Sequence, residues 1–186
     1  PPSLNLFLDT NKYPSRKFNR EEIVVIFSRP INSYMDEDKY IELFISTFKV
    51  IRDKLDDIQI VIKPHPREET GFINEILFNE GLNNYCFSYE DASLLSQNAI
   101  LAISFWTSAI LVSLDNGVPS VEYYIESEKF REIEPDGSVY KKLGIDSVSN
   151  RTGLKTFIDI VIKGKYNIPK MISEISNFKD VNYLIR

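Results

Sequence analysis

The chain has 186 residues, 43% of them hydrophobic and 12% aromatic, which is enough apolar material for one domain core and excludes global disorder. A formal net charge of −5 excludes a general nucleic-acid surface. One cysteine, Cys86, and one histidine, His65, exclude an internal disulfide framework and a Cys/His zinc centre, so no metal is expected.

No apolar run reaches the ~18 residues of a membrane span. The lone cysteine suits a reducing, cytoplasmic setting, with a place at the inner face of a membrane left open. The chain opens on Pro1-Pro2 with neither an initiator Met nor a leader pattern, and is expected to be part of a longer protein.

Residues 1–22 read as a linker or docking segment with an apolar patch at Leu4, Leu6, Phe7 and Leu8, a surface that can also support a homodimer. Ile23-Val24-Val25-Ile26-Phe27 is a continuous apolar run, as expected of a strand covered on both faces. A helix follows from Asp36 to Leu55 with Tyr40, Phe44, Phe48, Ile51 and Leu55 on one face, capped by Ser33 or Asp36. A strand at 58–62, a helix near 69–80, a short strand at 85–87, a short helix at 91–98 and a strand at 100–103 come next. Then follow a helix from Thr107 to Asn116 stopped by Gly117, and a strand at 119–124.

This alternation predicts an α/β fold: a Rossmann-like parallel sheet of five to six strands with helices on both faces. Residues 23–125 form the expected nucleotide-binding core and 126–186 a helical C-terminal extension of the same domain, with helices at 153–163 and 169–178. The acidic run Glu126–Glu134 reads as a solvated helical face. The glycine-rich dinucleotide fingerprint and the P-loop are both absent.

The chemistry concentrates at predicted strand ends, where parallel α/β sheets bind ligands. Lys63-Pro64-His65-Pro66-Arg67 follows the 58–62 strand, and Pro64 and Pro66 fix the backbone on either side of the imidazole. His65 can donate a hydrogen bond to a phosphate oxygen, with Lys63 and Arg67 as fixed positive charges. Ser104-Phe105-Trp106-Thr107-Ser108 joins a strand to a helix, so Ser104, Thr107 and Ser108 lie beside unpaired N–H groups that attract anions; a simple capping role fits as well. Phe105 and Trp106 can stack on a base or pack against a helix. Ser28 and Arg29 end the first strand, where Arg29 either reaches a phosphate or pairs with an acid such as Asp36. Glu122, on the last strand, is placed to accept ribose hydroxyls.

Two segments carry a family resemblance: Ile60-Val61-Ile62-Lys63-Pro64-His65-Pro66-Arg67-Glu68, and Ser104-Phe105-Trp106-Thr107-Ser108-Ala109 running through Asp115-Asn116-Gly117-Val118-Pro119. Together they resemble the C-terminal, donor-binding half of bacterial GT-B glycosyltransferases, in particular sialyltransferases and polysialyltransferases of capsule and lipooligosaccharide synthesis. The resemblance spans roughly residues 23–124. It implies that His65 contacts the donor phosphate and assists departure of the nucleotide, with Ser104, Thr107 or Ser108 on the same phosphate. It also implies a nucleotide-sugar as substrate, CMP-linked by preference, no separate cofactor, and a glycan acceptor held by an N-terminal domain. The acidic-acidic-Gly motif that supplies the general base in many of these enzymes is not found here. CDP- or UDP-linked capsule or teichoic-type transfer, a nucleotide-sugar epimerase of related architecture, and a non-catalytic Rossmann-like interaction domain are the alternatives.

Overall fold

A computed structural model describes residues 23–31 and 35–169. The elements are β1 (Ile23–Phe27), α1 (Glu37–Lys54), β2 (Gln59–Lys63), α2 (Thr70–Asn79), β3 (Tyr85–Phe87), α3 (Ala92–Ser96), β4 (Ala99–Ser104), α4 (Ala109–Asp115), β5 (Ser120–Tyr123), α5 (Glu128–Ile133), α6 (Val139–Lys142), β6 (Ser147–Val148) and α7 (Arg151–Ile162). Among the described residues six strands form one sheet in the order β3-β2-β1-β4-β5-β6, and every pairing is parallel. This is the doubly wound arrangement, and the direction of winding reverses between β1 and β4.

Residues of β1 alternate between two cores, as the two-residue strand period requires. Val24 and Ile26 join Ile60, Ile62, Leu101, Ile103 and Val121 under α1, α2 and α7. Ile23, Val25 and Phe27 join Val61 and Ala102 on the opposite face, beneath α3 and α4, where Ala92, Ala99 and Ala109 allow close packing. All five residues of β1 are buried, which explains why its sequence shows no polar alternation.

Helix α1 is set by its sequence at both ends. Asp36 accepts from Lys39 N at 3.0 Å, and Arg52 and Lys54 face the negative end of the helix dipole. The alternative cap, Ser33, lies outside the described residues, as do the 1–22 segment and the expected helix beyond Pro169.

The region after residue 125 departs most from expectation. The sixth strand, β6, comes from it and pairs with β5, so the sheet continues past the boundary expected at 125. Helix α6 is a single turn capped by Ser138. The acidic run is a solvated face: in α5, Phe130 is buried while Glu128 and Glu132 are exposed. Among the described residues no helix is long and apolar enough to cross a membrane.

Candidate functional site

The C-terminal ends of β1, β2 and β4 lie side by side, with Phe27 in register with Lys63 on one flank and Ser104 on the other. The β2 and β4 loops are thus two strand spacings apart, about 10 Å. The end of β1 ties itself to both. Ser28 N donates to Lys63 O at 3.2 Å, and Phe105 N donates to Phe27 O at 2.8 Å. Arg29 Nη1 donates to Trp106 O at 3.0 Å, across the point where the winding reverses.

Residues 65–68 form a β-turn, with Glu68 N donating to His65 O at 2.9 Å and Pro66 at the position a β-turn favours for proline. Arg67 N donates to His65 Nδ1 at 3.1 Å. In the neutral ring Nε2 therefore carries the hydrogen and serves as donor. Glu68 reaches back to accept from His65 N at 3.0 Å. Pro64 is buried, His65 half-buried, Pro66 and Arg67 exposed. Lys63 is half-buried; its ammonium is pushed below the usual lysine value by burial, with Asp91 and Glu90 acting in the opposite direction. The cationic segment folds into a turn closed by its own hydrogen bonds.

The β4 loop corrects the expectation for its first hydroxyl. Ser104 is fully buried; its Oγ donates to Thr107 O at 3.0 Å and accepts from Thr107 N at 3.1 Å. It shapes the loop and presents no hydroxyl to a ligand. Thr107 Oγ1 accepts from Ala109 N at 3.4 Å, whereas Ser108, exposed at the start of α4, makes no capping bond with its side chain. Phe105 is buried edge-on against Phe44, so stacking on a base is excluded for that ring. Trp106 adopts a left-handed backbone, φ 53°, a costly conformation for a bulky residue. Its ring packs against Phe130, and the Arg29 guanidinium lies 5.4 Å from its centroid.

Two further expectations change. Ser28 is buried and donates to Glu68 Oε2 at 2.5 Å, so its hydroxyl supports the His65 turn. Glu122 is 0% exposed on β5 and accepts from the Ser138 and Ser147 hydroxyls, which excludes ribose contact in this arrangement. Burial raises its carboxyl above the usual range, the two serines lowering it and Glu134 raising it further. Arg29 meets the Trp106 carbonyl, and Asp36, the acid expected as its alternative partner, caps α1.

Glu68 closes the His-Pro string and has no role predicted from the sequence. The available signal was its spacing: an acid three residues after His65, as in a capping box. Tyr40, also missed, donates to Glu68 Oε1 at 2.5 Å from α1.

No family model matches the chain, and no curated protein matches it either. Among solved structures it resembles UDP-GlcNAc 2-epimerase from Methanocaldococcus jannaschii, at TM-score 0.57 and 16% identity over 83% of this chain and 42% of that one. The same enzyme in complex with UDP-GlcNAc and UDP aligns at TM-score 0.55 and 15% identity over 84% of this chain and 44% of that one. The glycotransferase of kitacinnamycin aligns at TM-score 0.48 and 14% identity, over 89% of this chain and 40% of that one. The likeness is one of fold. The chain spans less than half the length of these neighbours.

Proposed function

We propose that the chain is the nucleotide-sugar donor-binding half of a glycosyltransferase, using a CMP-linked sugar such as CMP-sialic acid in surface-glycan synthesis. The observation that carries the reading is the hydrogen-bonded turn Lys63–Glu68 at a strand end beside the β1/β4 reversal, with Nε2–H left as the donor of the only histidine. A donor phosphate seated there meets the imidazole N–H with the Lys63 and Arg67 charges beside it. These groups favour the charge that builds on the phosphate as the sugar departs, which is transition-state stabilisation by groups already in place. Thr107 and Ser108 stand on the β4 loop, two strand spacings away, on the other side of the proposed phosphate position. The acceptor and the group that activates it belong to a partner domain in this reading.

The epimerase neighbour, described with UDP-GlcNAc and UDP, gives a second reading specific support: a UDP-sugar epimerase half on the same sheet. Thermal denaturation with CMP, CDP and UDP separates the two. Stabilisation by CMP above the diphosphates supports the sialyl-type donor, and stabilisation by UDP the epimerase or a UDP-linked transferase. His65→Ala is expected to remove at least most of the shift while leaving the ligand-free Tm within about 2 °C, as for a half-exposed loop side chain. An absence of stabilisation by any of the three nucleotides would overturn both readings.

A further inference from the structure

The Glu68 carboxylate directly follows Arg67 in the chain and closes a turn read as an anion site, where a negative charge opposes anion binding. None of the ion pairs among the described residues includes it. Its oxygens are instead taken by three donors from three different elements: Ser28 Oγ at the end of β1, Tyr40 OH on α1, and the His65 backbone N–H. Burial, and then the charge and hydrogen bond of Glu68 itself, raise the Tyr40 hydroxyl far above its ordinary value, so it remains a donor. The carboxylate therefore knots the turn to the sheet and to α1. The same turn sets the Arg67 N–H on His65 Nδ1.

We infer that Glu68 is a positioning residue for His65, holding the 65–68 turn closed so that the imidazole offers Nε2–H, and not Nδ1–H, as its donor. Its value to function rests on the proposed donor-phosphate site; its effect on the ring does not. Without the carboxylate the His65 amide loses its acceptor, the turn opens, and the Arg67 N–H leaves Nδ1. The two neutral tautomers then exchange freely.

Because the chain has a single histidine, the ring can be read without assignment ambiguity. Long-range proton–nitrogen NMR of the nitrogen-labelled chain, at mildly alkaline pH where an imidazole is neutral, is expected to show one unprotonated and one protonated ring nitrogen, with Nδ1 unprotonated. In Glu68→Ala the two signals should move toward each other, and nucleotide affinity should fall about tenfold, the cost of one lost hydrogen bond to a charged group. Tyr40→Phe removes a different donor from the same carboxylate; it should lower Tm and leave the ring signals in place.

The inference is overturned if folded Glu68→Ala keeps the parent spectrum, if the parent already shows averaged tautomers, or if Tyr40→Phe shifts the ring as much as Glu68→Ala. Should Glu68→Ala fail to fold, Tyr40→Phe/Glu68→Leu, which removes the carboxylate together with its α1 donor and fills the space, is read by the same criteria. A parent that shows the fixed tautomer but binds no nucleotide sinks the proposed function and leaves the positioning role standing. A parent that binds while the ring ignores Glu68 does the reverse.

Discussion

Ser104 and Ser108 lie four residues apart in one loop and have opposite duties. The first is buried with both hydrogen-bonding capacities taken by the Thr107 backbone, and the second is exposed with no capping bond. Ser104→Ala takes the acceptor from the Thr107 amide, while the Thr107 carbonyl still accepts from Ile110 N, and should cost about 1 kcal/mol in urea denaturation. Ser108→Ala should be silent in that assay and weaken only nucleotide binding. Glu122 offers a second residue-scale prediction. A carboxyl whose folded value is raised stabilises below its ordinary pKa of 4.5 and loses that contribution as pH rises through the raised value. Glu122→Gln cannot ionise, so its stability relative to the parent should increase from acid toward neutral pH. Denaturation midpoints of the two proteins across that range provide the check, and parallel curves would count against the burial argument.

At the level of elements, helix α7 shows where intrinsic preference yields to packing. Gly153 lies in its first turn, and a helix scale would favour alanine there by about 1 kcal/mol. A Cβ at that position, however, would meet Val148 Cβ at 3.0 Å and Cγ1 at 3.2 Å. Gly153→Ala is expected to lower stability by about 1 kcal/mol, as overpacking does, with a matching fall in Tm. Legibility in the sequence follows the same contrast. The long amphipathic α1 and the β-branched β1 and β2 could be read because burial dictates their residue types. Ser147-Val148 could not, since a two-residue edge strand carries no periodicity. The site was half legible. The His-Pro string was legible as a cationic segment at a strand end, but the partners of Glu68 that hold its turn, Ser28 and Tyr40, stand 40 and 28 residues away, beyond any local pattern.

For the whole molecule, the sheet order separates two edges with different character. The C-terminal edge gathers Arg29, Lys63, His65 and the β4 loop. The opposite edge holds a cleft of about 500 Å³ lined by Leu101, Val118, Pro119, Ile158 and Val161 among others. Hydrogen exchange with the stabilising nucleotide should slow at residues 28–31, 63–68 and 104–108 and stay unchanged at 99–101 and 117–119. Protection confined to the second set would move the site to the other edge.

Among the described residues the outermost strands of this sheet are its shortest, three residues in β3 and two in β6. An edge that brief offers an incoming strand almost no ladder to extend. The domain therefore carries its own safeguard against strand-by-strand association. Lengthening β6 would remove that safeguard.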